Sequence, residues 1–76
     1  MTINTIEKQV MVVFAQQLEK SNIDANESWE NLGCDEFDLI ECVMKIEDTC
    51  GVVIEDAEVA QLHSVADLVQ CVVSKK

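Results

Sequence analysis

The chain has 76 residues, 49% of them apolar, and a formal charge of −10 from 15 acidic against 5 basic side chains. That apolar fraction is too high for a disordered acidic tail, so a single folded domain over residues 1–76 with one small core is expected. So anionic a surface repels phosphate backbones and anionic lipid, which argues against nucleic acid and membrane surfaces as partners and leaves basic protein patches as the complement.

The chain has no proline and only two glycines, Gly33 and Gly51, a composition that favours helices joined by short connections. With Phe14, Phe37 and Trp29 as its aromatic residues, the core must be mainly aliphatic. The first residues lack a basic stretch followed by an apolar run, and no apolar run approaches membrane-spanning length, so a cytoplasmic protein is expected. The high charge favours a soluble monomer.

Asn4 followed three residues later by Glu7 resembles a capping box and opens the first predicted helix. Ile6, Val10, Val13, Phe14 and Leu18 recur at helical spacing and should form its buried face, with Met11 and Val12 off that stripe. Residues 21–35 read as a long loop, broken by Asn22, Asp24, Asn26 and Ser28 and anchored to the core by Trp29 and Leu32. Asp24, Asn26, Ser28 and Asp35 fall at the ligand spacing of a calcium loop. Trp29 stands where that loop needs glycine, however, and Asn31 where it needs an apolar side chain, so no metal site is expected.

Asp35 is the expected cap of a second helix that runs to about Cys50 and stops at Gly51. Asp35, Glu36 and Asp38 in its first turn complement the positive end of the helix dipole. At 100° per residue, Leu39, Cys42, Val43, Ile46 and Cys50 gather on a core face. Phe37, Ile40 and Met44 form a second apolar stripe, flanked by Glu36 and Glu47 on one side and by Glu41 and Asp48 on the other. An apolar stripe rimmed by acids suits a partner groove surrounded by Lys or Arg. The alternative is that the long loop or the next short helix covers Phe37 and Ile40.

Residues 52–54 are a short apolar run, after which Glu55 and Asp56 can start a brief helix through Gln61. Ser64 caps a last helix, with Asp67 in capping-box position and Val65, Leu68, Val69 and Val72 facing inward. His63, in the connection, has no second ligand or nucleophile nearby and reads as a surface or packing residue. Lys75 and Lys76 suit the negative end of the last helix.

Cys34, Cys42, Cys50 and Cys71 show no CxxC spacing. On one helix, Cys42 and Cys50 lie about 12 Å apart along the axis, beyond disulfide reach. Cys42 and Cys71 are therefore expected as small buried hydrophobes, while Cys34 sits in a loop open to reaction but without a base to activate it. No nucleophile is paired with a base and no phosphate loop occurs, so the chain is not expected to be an enzyme.

The order and spacing of TIEKQVMVVFAQQL, LGCDEFDLIECVMKIED and VVIEDAEVAQLHSVADLV resemble an acyl carrier protein over nearly the whole chain. The resemblance implies an all-α four-helix bundle with a short third helix, able in family members to enclose an acyl chain. It implies partner contacts at Asp35, Phe37, Asp38, Ile40, Glu41, Met44, Glu47 and Asp48, made with a ketosynthase, a phosphopantetheinyl transferase or other carrier-using enzymes with basic patches. It also implies a serine at the start of the second helix, carrying a 4'-phosphopantetheine arm for fatty-acid or polyketide intermediates.

Here the tripeptide is Asp35-Glu36-Phe37, and Glu36 stands where that serine is expected. A carboxylate cannot form the phosphodiester built on a hydroxyl. Ser28, Ser64 and Thr49 lie elsewhere, so no arm is expected on this sequence. Three readings follow: a carrier with a natural or introduced serine-to-glutamate change, a carrier-like protein that works by binding alone, or an unrelated acidic helical protein.

Overall fold

Ile6, Val10, Val13 and Phe14 wind onto one side of a helix and bury there almost completely, which makes the first helix the spine of the molecule. The computed structural model describes residues 3–76, with side chains from Asn4 onward. Five helices follow in order: α1 (Ile3–Leu18), α2 (Trp29–Leu32), α3 (Glu36–Cys50), α4 (Asp56–Val59) and α5 (Val65–Ser74). The architecture is all-α, with α1 packed against both α3 and α5. Among the described residues no helix is long and apolar enough to cross a membrane.

The core joins the α1 stripe to Cys42, Val43, Ile46 and Cys50 of α3 and to Val65, Leu68, Val69 and Val72 of α5, with Leu32, Cys34 and Ile54 closing it from the connections. Leu39, Leu18 and Cys71, expected inside, are only partly buried and pack on the margin of this cluster.

Asn4 lies within α1 and is not its cap, because the helix already includes Ile3. At its other end α1 stops without glycine. Glu19 takes a left-handed φ of 55°, the Lys20 amide reaches back to the Ala15 carbonyl at 3.0 Å, and the Glu19 amide to Gln16 at 3.4 Å. This is a Schellman closure, and a side chain in that conformation costs about 1 kcal/mol relative to glycine. The two glycines serve the same purpose after α2 and α3, with φ of 75° at Gly33 and 68° at Gly51.

The loop at residues 21–35 is more ordered than its composition suggests. Ser28 accepts the Asn31 amide and caps the extra turn α2. The Ala66 amide bonds the Ala25 carbonyl at 2.8 Å, and Ser28 and Ser64 form an isolated antiparallel bridge, so the loop is stitched to the start of α5. Trp29 stacks on Phe14 with ring centroids 5.3 Å apart and planes 13° from parallel. Its Nε1 donates to the Leu62 carbonyl at 3.0 Å. Trp29 and Leu32 thus anchor the loop as the sequence indicates.

α4 is the shortest expected helix and ends at Val59, before Gln61. The Ser64 hydroxyl accepts the Asp67 amide, and the Asp67 carboxylate in turn accepts the His63 amide rather than that of the cap itself. Lys75, instead of serving only the end of α5, donates to Glu58 of α4 at 2.9 Å.

The Lys75 hydrogen bond, helped by the Glu55 amide, holds the Glu58 carboxyl below the usual glutamate range. A depressed carboxyl stabilises the fold fully above its unfolded pKa, and that contribution disappears as the pH falls through the lowered folded value. Lys75→Gln should therefore remove a small contribution near neutrality and flatten the acid limb, so that denaturation midpoints at stepped pH lie slightly below the parent's near neutrality and converge with them at low pH.

Candidate functional site: the outer face of helix α3

Asp35 sets the start of α3. Its Oδ1 accepts the Asp38 amide at 2.8 Å, and the core face behind it fixes the helix's rotation. What remains outward is the second stripe. Phe37 is 68% exposed, Ile40 49% and Met44 57%, so neither the long loop nor α4 covers them. Glu36 and Asp48 are also exposed beside the stripe, and Glu41 is half-buried at its edge. Exposed apolar side chains over about two turns, rimmed by carboxylates, present a surface suited to burial against another protein.

The remaining acids expected at this face are engaged within the molecule. Asp38 lies on the side toward α1, where its Oδ1 accepts Gln17 Nε2 at 3.2 Å. The same Gln17 accepts Lys45 Nζ at 3.2 Å through its Oε1. Lys45 is the lone Lys or Arg from Ser21 to Ser74, and this bridge holds its charge at the α1 side, away from the stripe. Asp35 is committed to capping.

Glu47 has a structural duty that its rim position does not reveal. Its carbonyl takes the amides of Gly51 at 2.9 Å and Val52 at 3.2 Å, while its carboxylate takes the amide of buried Ile54 at 2.9 Å. One residue thereby receives three of the amides that leave α3, and it sets the path to α4.

A cleft opens between α3 and α4. One lobe of about 370 Å³ lies by Glu36, Leu39, Ile40, Asp56 and Val59, and a second of about 110 Å³ reaches inward past Val43, Met44 and Ile54. The sequence reading missed this α4 wall and also Val53, which is 68% exposed next to buried Ile54. The alternation along residues 52–54 was the available signal, with Val52 half-buried, Val53 outward and Ile54 inward.

Thiol chemistry is unfavourable here. Cys34 is buried rather than open in its loop, and burial, followed by the charges of Asp38 and Asp35, pushes its thiol up to about 11. Burial pushes Cys42 up to about 12. Both stay protonated near neutrality and are poor nucleophiles. Among the described residues no cluster of metal-ligating side chains forms.

A model of the phosphopantetheine attachment site matches residues 8–72. The chain belongs to the acyl carrier protein family. It is 36% identical over 72 residues to an acyl carrier protein of Akkermansia muciniphila, covering 91% of this chain and 90% of that one. It is 29% identical over 79 residues to one from Chloroherpeton thalassium, covering 100% of this chain and 99% of the relative. The fold matches the crystal structure of an acyl carrier protein from Thermotoga maritima with a TM-score of 0.81 at 27% identity, over 96% of this chain and 88% of that one. Family membership makes the chain a carrier protein that works with other enzymes, rather than an enzyme itself.

The residues present do not fit attachment of the arm at the start of α3. Glu36 offers a carboxylate there and no hydroxyl. Ser28 and Ser64 spend their hydroxyl oxygens capping α2 and α5, Ser74 donates to the Cys71 carbonyl, and Thr49 lies near the far end of α3.

The double use of Glu47 makes it unequal to its neighbour. Glu47→Ala should cost about 1–2 kcal/mol by leaving the Ile54 amide without its acceptor. Asp48→Ala should stay within about 0.5 kcal/mol. Urea denaturation of both variants checks the difference.

Proposed function

We infer that this chain is a docking module of carrier type, acting in a type II fatty-acid or polyketide pathway and recognised through the acid-rimmed stripe of α3. The observation that supports this reading is the exposure of Phe37, Ile40 and Met44 between Glu36, Glu41 and Asp48. Its partners are carrier-using enzymes with basic patches, such as a ketosynthase or a phosphopantetheinyl transferase. The apolar stripe supplies affinity, while the acids steer encounter and reject acidic surfaces. A net charge of −10 keeps the free protein monomeric, and the cytoplasm is its place of action.

Glu36 favours a narrower reading within this one: on this sequence the module docks without being loaded, as a scaffold, decoy or regulator of enzymes that use loaded carriers. The carboxylate keeps a negative charge where an arm's phosphate would stand, and it leaves no group from which a thioester-bearing arm could be extended.

A phosphopantetheinyl transferase with coenzyme A serves as probe for both parts. Intact mass should stay unchanged for this chain and rise by one arm for Glu36→Ser, which shows a platform that Glu36 alone silences. Adding Glu41→Lys and Asp48→Lys to the serine variant should slow loading about tenfold at low salt, with the difference shrinking as salt rises. Loading of this chain itself would overturn the arm-free reading. Loading indifferent to both charge reversals would overturn docking through α3.

A further inference from the structure

From Asn4 onward the sulfur-bearing side chains are Met11, Cys34, Cys42, Met44, Cys50 and Cys71, and the fold treats one of them differently from the rest. Cys34, Cys42 and Cys50 are buried, and Met11 and Cys71 are half-buried against the core cluster. Met44 is 57% exposed, on the outer face of α3 beside Ile40. Among the described residues it is the one sulfur that stands mainly in water.

The two kinds of sulfur also differ in what an oxidant needs from them. A cysteine reacts through its thiolate, and here burial and nearby carboxylates work against that form. Burial first and the Asp38 and Asp35 charges second raise the Cys34 thiol, and burial followed by the Glu58 charge raises that of Cys71. Cys42 is raised chiefly by burial, and Cys50 lies in the core with its thiol 3.7 Å from Gln9 Oε1. A thioether has no proton to lose, so its oxidation depends on access alone. The charge of −10 repels anionic oxidants, whereas neutral hydrogen peroxide is indifferent to it.

Oxidation would change the polarity of the stripe at its third apolar member. Met44 shares the inner lobe of the α3–α4 cleft with Ile40, Val43, Ile54 and Val59, whose side chains have no hydrogen to donate. The polar side chains of that lobe, Glu47 and Asp56, are carboxylates that only accept. A sulfoxide oxygen is itself an acceptor, so it finds no donor among these side chains and stays bound to water. A partner that covers the stripe has to strip that water away without replacing it.

We propose that Met44 is a reversible oxidation site, converted by hydrogen peroxide to a sulfoxide that weakens docking through α3. The thioether sulfur attacks one peroxide oxygen and the O–O bond breaks. Sulfur is oxidised by two electrons as its bond to oxygen forms, and the second oxygen leaves as water. A methionine sulfoxide reductase reverses the step, with two thiols oxidised to a disulfide and the oxygen released as water. The effect on partners rests on the reading of α3 as a docking face, whereas the selective oxidation does not.

Peptide mapping after graded exposure of the full chain to hydrogen peroxide tests the site. Cleavage after lysine places Met11 in residues 9–20, Met44 in 21–45 and Cys50 and Cys71 in 46–75, and fragment masses separate Met44 from Cys34 and Cys42. Met44 should gain one oxygen at least about fivefold faster than Met11, and the two should react alike in urea. Oxidation of a cysteine ahead of Met44, or of Met11 at the same rate in the folded chain, would overturn the site. For the effect on docking, Glu36→Ser is oxidised, freed of peroxide and given to a phosphopantetheinyl transferase with coenzyme A. Loading should slow about fivefold and recover after treatment with methionine sulfoxide reductase and dithiothreitol. With Met44→Leu added to Glu36→Ser, treated and untreated chains should load at one common rate. Loading that ignores Met44 oxidation but slows with Glu41→Lys and Asp48→Lys would overturn the switch and keep docking through α3. Loading that ignores all three changes would overturn the switch and the docking reading together.

Discussion

The stack of Trp29 on Phe14 holds together parts of the chain that have little else to bind them. Phe14 is fully buried in the C-terminal half of α1, the helix against which α3 and α5 both pack. Trp29 covers it from the loop side and uses its one donor on the Leu62 carbonyl, in the connection between α4 and α5. Beyond Ile23, Ala25 and Leu32, the loop has little apolar surface with which to attach itself. The indole supplies that surface and a specific hydrogen bond at once, and the Ala25–Ala66 bond and the Ser28–Ser64 bridge complete the seam.

With the loop fixed in this way, α3 is free to use two faces for different purposes. Its inner face is core, and its outer face keeps three large apolar side chains in water. The cost of that exposure is offset in part by the charged rim, which keeps the surface soluble and discourages self-association. Charge is segregated as well as abundant: Gln17 draws Lys45 and Asp38 toward α1, which leaves the stripe bordered by carboxylates without a neighbouring cation.

Much of this was legible in the sequence because α3 and α5 follow simple rules. Apolar spacing, the Asp35 and Ser64 caps and the Gly51 stop gave their extents and faces, and the second stripe on α3 followed from periodicity alone. α2 escaped notice because four residues are too few to show a period, although Ser28 three residues before Asn31 carried the capping signal. The end of α1 was hidden because Glu19 does what glycine usually does. Cys34 looked exposed since burial in a loop is decided by tertiary packing, and the reach of Glu47 to Ile54 spans seven residues across a turn that no local pattern encodes. The candidate site was therefore readable as a surface, but its division into free acids and acids already engaged was not.

The single tryptophan of the chain has a practical consequence. Its ring is half-buried and stacked on Phe14, on the side of the core where the loop closes, while the exposed apolar stripe lies on the outer face of α3. Indole emission responds to stacking, hydration and hydrogen bonding at Nε1, so this residue is an intrinsic optical gauge of the loop and the α4–α5 connection. Charge changes on the outer face of α3 leave its immediate surroundings alone. The molecule thus contains its own fluorometer for telling a change of fold from a change confined to the α3 surface.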